Sequence, residues 1–165
     1  MNNFIQHMRC MICLILFGFA GSAWSAGNHA GGHSHGSDTS AIGEPGQTSQ
    51  VTRIIQVDMS DSMRFSPSGI SVKAGETIKF ALNNSGRVKH EFVLGTDKDL
   101  KDHYQQMMKF PEMEHDDPNM VTVDPGKSGV VIWKFTTTGI VDFACLLPGH
   151  YDAGMRGLVR VGSNK

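Results

Sequence analysis

From Val51 onward the chain is cut into short runs in which β-branched and polar residues alternate, with Gly, Pro and Asn between the runs. "VTRIIQVDM" and "GISVKAGETIKFALNNSG" show the alternation, and "VKHEFVL" (Val88 to Leu94) continues it. "VTVDPGKSGVVIWKF" reads as two strands about a turn at Asp124-Pro125-Gly126-Lys127. "GIVDFACLL" and "GLVRVG" supply two more. A period of two sends successive side chains to opposite faces of a pleated strand, so each run buries one face and wets the other. About seven or eight short strands at this spacing predict an all-β chain, folded as an antiparallel β-sandwich of about 115 residues with one core.

One segment breaks that rhythm. "TDKDLKDHYQQMMKF" (Thr96 to Phe110) is rich in helix formers. Thr96 and Asp99 have the spacing of a capping box, with Asp in place of Glu or Gln, and Pro111 stops the helix. "PEMEHDDPNM" then runs as a loop to Met120. Residues 96–120 read as a helical insertion between two strands.

The N-terminal residues have a different character. Arg9 and the free amine precede an apolar run from Cys10 to Ala20, followed by the small residues of "GSAWSA". That is the form of an export leader, residues 1–25, cut after Ala23 or Ser25; a cut after Ala26 puts Trp24 at the −3 position. The apolar run is short for a bilayer span, and no other stretch comes close. The expectation is a periplasmic chain with no membrane span once the leader is gone; the alternative is an uncleaved anchor. Residues 26–50, rich in Gly, Ser and His, cannot bury enough surface to order themselves and read as a flexible tail. The domain is expected over residues 51–165. With 15 basic and 16 acidic residues there is no basic stripe for nucleic acid and no polybasic membrane patch.

Cys10 and Cys13 fall inside the leader, which leaves Cys145 alone. A lone thiol in an oxidising compartment is buried, paired between chains, or bound to a metal. Here it opens "CLLPGHYDAGM", with His150 and Met155 at intervals of five residues, just before the last strand. Thiolate, imidazole and thioether are donors suited to a transition metal. A trigonal copper site takes two imidazoles, one thiolate and a weak axial thioether. His90, on the upstream strand "VKHEFVL", is the candidate second imidazole. The plainer alternatives are a buried apolar Cys145, a core His90, an exposed loop His150 and a packing Met155.

The pattern His…Cys-x4-His-x4-Met, with Gly149 before His150 and Gly157 after Met155, resembles the cupredoxin family of blue or green copper proteins. The resemblance covers about Val51 to Val161. It implies a cupredoxin-like Greek-key β-sandwich and one type 1 copper per chain, with His90, Cys145 and His150 as equatorial ligands and Met155 as the axial one. Many cupredoxins place Asn or Ser after the first histidine to tie down the cysteine loop; here it is Glu91, so the hydrogen bonding around the ligands is expected to differ. The His-bearing tail and the Met- and His-bearing insertion look most like the CopI-type copper-tolerance branch of the family.

Further soft donors suggest weaker copper sites: His103, Met107, Met108, Met113, His115 and Met120 in the insertion, and His29, His33 and His35 in the tail. Met59 and Met63 add to the count. His103 and Met107, four apart, share a helix face. The competing reading is that the methionines pack the helix onto the sandwich and the histidines are solvated.

Three functions compete. The first is a redox-active copper protein aiding copper tolerance. The second is a one-electron carrier between redox partners that dock on an apolar rim of Leu146, Leu147 and Pro148 beside His150. The third is a hydrolase or transferase with Cys145 as nucleophile; it leaves Met155 unexplained and has no evident orienting Asn or Asp. The expectation is a monomeric, non-enzymatic copper protein.

Overall fold

A computed structural model describes residues 41–113 and 116–164. The leader, its cleavage point, His29, His33, His35 and His115 lie outside the described residues. The strands are β1 (Glu44–Pro45), β2 (Arg53–Ser60), β3 (Arg64–Ser66), β4 (Gly69–Lys73), β5 (Thr77–Asn84) and β6 (His90–Gly95), then β7 (Met120–Val123), β8 (Ser128–Lys134), β9 (Gly139–Ala144) and β10 (Arg156–Gly162). The helix α1 (Asp97–Lys109) lies between β6 and β7, where the insertion was expected.

The strands form two five-stranded sheets, ordered β1-β8-β5-β2-β3 and β4-β10-β9-β6-β7. This is the all-β, cupredoxin-like sandwich that the resemblance implied, with two departures from the strand reading. The sheets are mixed, because β2 runs parallel to β5 and β4 parallel to β10. Among the described residues there are ten strands, not seven or eight. The two-residue β1 and three-residue β3 are too short to show an alternation, and they form because longer strands template them.

The strand burial follows the alternation. β4 reads exposed-buried-exposed-buried-exposed, with Ile70 and Val72 inward. The inner faces interlock through aromatic rings: Phe92 lies 5.0 Å from Phe143, 5.2 Å from Phe80 and 5.8 Å from Phe65, centroid to centroid. Such tilted and edge-on contacts add to the area term of burial. β6 is the exception, buried along its whole length. One of its faces lies on the inter-sheet core and the other is covered by α1.

The helix follows its local code. Thr96 accepts a hydrogen bond from the Asp99 backbone N–H, the cap read from the sequence. Leu100, Tyr104 and Met107 form its buried face, at the i, i+4, i+7 spacing of one helix stripe. They pack with Val93, Met120, Ala144, Leu146 and Tyr151 in a second apolar cluster outside the main core.

The ordered fold starts earlier than residue 51. Ile42 is 3% exposed, its carbonyl accepts from the Trp133 indole N–H at 2.9 Å, and β1 pairs with β8. Residues 41–50 therefore belong to the domain rather than to the tail. Composition hid this because the segment offers one buried apolar side chain, Ile42, and is otherwise anchored by the indole bond, the pairing with β8, the Gly46 N–H bond to Ile132 and the Glu44–Lys134 ion pair, none of which an apolar pattern reveals.

Candidate metal centre

Strand register brings the candidate ligands together. β6 pairs with β9, placing Val93 opposite Ala144. β9 pairs with β10, placing Ala144 opposite Arg156. The loop from Cys145 to Met155 therefore leaves and re-enters the same sheet. Its ends are joined by the Cys145 N–H donating to the Met155 carbonyl at 3.1 Å. Inside it, Met155 N–H donates to the His150 carbonyl, Ala153 N–H to Gly149 and Gly154 N–H to Tyr151. Gly154 has φ +96, a left-handed conformation that glycine adopts without the Cβ penalty. His90 opens β6 and reaches the same point from the other side.

The donor atoms of His90, Cys145 and His150 all lie within 4.8 Å of one another, the cluster of metal-binding geometry found among the described residues. The two Nδ1 atoms are 3.3 Å apart, and His150 Nδ1 is 3.3 Å from Cys145 Sγ. Metal–imidazole bonds of about 2.0 Å put two nitrogens on one ion about 3.3 to 3.5 Å apart. The spacing and the N,N,S donor set therefore fit a copper ion. Met155 is fully buried in the same core cluster as Cys145.

The electrostatics suit neutral imidazoles and a hidden thiol. Burial pushes the His90 and His150 pKa values down, and for His150 the neighbouring His90 adds to the effect. Both rings are thus neutral donors at pH 7. Burial pushes the Cys145 thiol up to about 12, so a thiolate at neutral pH needs a cation beside it. The Glu91 backbone N–H donates to Cys145 Sγ at 3.3 Å. Cys145 and His90 are inaccessible, whereas His150 is half-buried and marks the side open to solvent.

Several residues that support this cluster carry no signal in the sequence. Asn84, fully buried at the end of β5, donates to the carbonyls of Val88 and Val123 and accepts from Gly86 N–H. It ties the turn before His90. Asp61 accepts from the backbone N–H groups of Arg87 and Val88. The Arg87 bond is the largest influence holding its carboxyl below the usual range, so it is anionic at pH 7. Tyr104 on α1 donates to Asp152 at 2.8 Å, accepts from Gly149 N–H at 3.4 Å, and stacks on Tyr151 at 5.0 Å. Arg64 donates to the Ala153 carbonyl at 2.8 Å. Each of these residues makes at least one tie to a residue 26 or more positions away, so a linear reading of motifs passes over it.

The other candidate donors are dispersed in role. Met107 and Met120 are buried in the cluster under α1, and Met59 is in the main core. Met108 and Met113 are exposed, His103 is half-buried, and Met63 packs against the main core. One expectation is corrected: Leu146 does not line a docking rim. It is fully buried under α1, because Cys145 turns into the inter-sheet core and the next side chain takes the opposite face. Leu147 and Pro148 retain exposure.

Comparison with known proteins agrees with this geometry. The profile of copper-binding proteins of the plastocyanin/azurin family matches residues 50–162. The chain is 50% identical over 133 residues to the copper-resistant cuproprotein CopI of Rubrivivax gelatinosus, across 81% of this chain and 80% of that protein. It is 38% identical over 150 residues to the protein of the same name in Pseudomonas aeruginosa, across 73% and 82%. Auracyanin B superposes with a TM-score of 0.60 over 73% of this chain and 96% of its own, at 22% identity, which speaks to the fold alone. A profile match of this length, and half-identity to a cuproprotein across most of both chains, establish that this chain belongs to the plastocyanin/azurin family of copper-binding proteins.

Proposed function

We propose that this protein is an exported cupredoxin that binds one copper ion at a type 1 centre and contributes to copper tolerance in the periplasm. His90, Cys145 and His150 hold the ion, with Met155 as a weak fourth donor. The observation that carries the reading is the convergence of two imidazole Nδ1 atoms and one thiol within 4.8 Å, supplied by β6 and a loop closed on itself. The tolerance role rests on the likeness to the copper-resistant cuproproteins.

Copper supplies a one-electron Cu(II)/Cu(I) couple when bound. The chain's own contribution is to hold the donors in place beforehand. The inter-sheet core fixes Cys145 and Met155, and the internal hydrogen bonds of the loop fix the backbone between them. A loop that is rigid before binding keeps one ligand geometry for both charge states, so electron transfer needs little rearrangement. Burial of His90 and Cys145 excludes water, and half-buried His150 offers an edge to a redox partner beside Leu147 and Pro148. The same burial weighs against Cys145 as a catalytic nucleophile, since the thiol is inaccessible and strongly disfavours its anion. The protein acts by holding copper and passing electrons rather than by enzymatic turnover.

The test is a Cu(II) titration of the purified mature protein beside Cys145→Ala. An intense visible thiolate-to-copper band that saturates at one equivalent, and is absent from the variant, is expected. Its absence from the parent protein overturns the copper reading. Growth of a deletion strain on copper separates the roles: impaired growth is expected, and normal growth leaves the dedicated electron carrier as the better account.

A further inference from the structure

His90 presents two different nitrogens. Nδ1 belongs to the donor cluster, 3.3 Å from its counterpart on His150. Nε2 is buried and makes no hydrogen bond. It faces Asp61, whose Oδ1 is 3.5 Å away. Asp61 is itself held in place. Its oxygens accept from Arg87 N–H at 2.9 Å and from Val88 N–H at 3.3 Å, in the turn that leads into His90. Gly86 leaves room for it, since a Cβ there would collide with the Asp61 carboxylate. A carboxylate from the β2–β3 turn is thus anchored behind the ring of the upstream histidine.

We propose that Asp61 is a positioning residue of the copper centre, accepting the Nε2–H of His90 and so directing Nδ1 and its lone pair at the metal. The inference rests on the copper reading above. An imidazole that uses one nitrogen as a ligand gives the N–H of the other to a carboxylate, a carbonyl or water, and that partner sets the tautomer and the ring angle. Closing 3.5 Å to a hydrogen bond of about 2.8 Å takes a small rotation of the ring or the carboxylate. Because Asp61 is charged, it also does what a neutral acceptor does less well: it raises the electron-donating power of the ring. That favours Cu(II) over Cu(I). The Asp61 side chain is 40% exposed, so solvent screens part of the effect.

The competing role is a turn cap with no influence on the metal, and the test separates the two. Asp61→Asn keeps an acceptor oxygen for the Arg87 and Val88 N–H groups and removes the charge. The full mature protein and the variant are titrated with Cu(II) and, under reducing conditions, with Cu(I); the midpoint potential and the melting of the metal-free forms are recorded. Cu(II) affinity is expected to fall about tenfold, with Cu(I) affinity and metal-free melting nearly unchanged and the potential raised. Equal Cu(II)-to-Cu(I) affinity ratios in the two proteins overturn the inference, whether or not the variant melts earlier. If Asp61→Asn does not fold, Asp61→Ser supplies a shorter uncharged cap and is read by the same ratio. Absence of the Cys145-dependent band in the parent protein removes the copper reading, and this inference with it. A band of normal intensity with an unchanged ratio removes this inference alone.

Discussion

The loop from Cys145 to Met155 is held between two apolar regions of different construction. On its inner side lies the inter-sheet core, built from alternate residues of the strands and dominated by Phe80, Phe92, Trp133, Phe135 and Phe143. On its outer side lies the smaller cluster under α1, which includes two tyrosines, Tyr104 and Tyr151, whose rings stack, with the Tyr104 hydroxyl also bonded to Asp152 and Gly149. Cys145 and Met155 belong to the first region, and Leu146 and Tyr151 to the second. Neighbouring residues of one loop thus anchor in opposite directions. The inner region sets where the Cys145 thiol and the Met155 thioether sit, and the outer region sets how the segment carrying His150 lies against them. Damage to the first is expected to register as lost stability, and damage to the second as an altered copper spectrum.

The largest effect should come from the inner region. Phe80→Ala removes a fully buried ring in contact with Phe92 and Phe135, and is expected to cost about 3 to 5 kcal/mol in urea unfolding. In whatever fraction remains folded, the visible band should keep its position. A shifted band would break the comparison by showing that the inner core also tunes the ligand loop at a distance.

Met107→Ala opens a cavity at the buried face of α1 and should cost about 2 to 3 kcal/mol. Here the band is expected to move, because Leu146 and Tyr151 lose a neighbour. Copper stoichiometry measured alongside should stay at its parent value. A second equivalent bound by the parent protein and lost in Met107→Ala would instead make Met107 a ligand of a second site.

Tyr104→Phe removes only a hydroxyl that donates to Asp152 and accepts from Gly149 N–H beside His150. A stability loss of about 1 kcal/mol is expected. The band should nevertheless shift, since the ring stack on Tyr151 survives but the tie to the loop does not. An unchanged spectrum would reduce α1 to a packing element.

The smallest effect concerns charge at the seam. Asp142 lines a cleft of about 360 Å³ shared with Asp97, Tyr151 and Arg156. Burial, and then the nearby Asp97, raise its pKa above the ordinary carboxylate value, against an opposing pull from Lys101. A raised acid stabilises the fold fully at low pH, and the benefit is lost as pH climbs through the folded-state pKa. Asp142→Asn should therefore melt slightly higher than the parent protein at pH 7, and the difference should close as the medium is acidified towards ordinary carboxylate values. Equal melting throughout would mean that the outer seam tolerates charge without strain.

These regions were unequally legible. The inner core follows from period-two alternation, a local property of each strand, so the sandwich could be read from Val51 onward. The cap of α1 was local too, and Thr96 with Asp99 marked it. The buried stripe Leu100, Tyr104 and Met107 fits a helix, but nothing in its spacing says that Tyr104 reaches Asp152, 48 positions away. Leu146 was misplaced for a related reason: its burial depends on a helix from elsewhere in the chain covering the outer face of β6 and β9.

The amino-acid sequence by itself determined the class of fold, the position of the helical insertion and the candidate donors, because alternation, capping and donor chemistry are carried by residues close together in the chain. Only the tertiary structure decided that His90 meets Cys145 and His150, that residues 41–50 belong to the domain, and that Asn84, Asp61, Arg64 and Tyr104 secure the ligand segments. The physical reason is distance. The supporting ties join residues 26 to 89 positions apart through hydrogen bonds to backbone groups, and a backbone N–H or carbonyl has the same chemistry at almost every position until the fold gives it a partner.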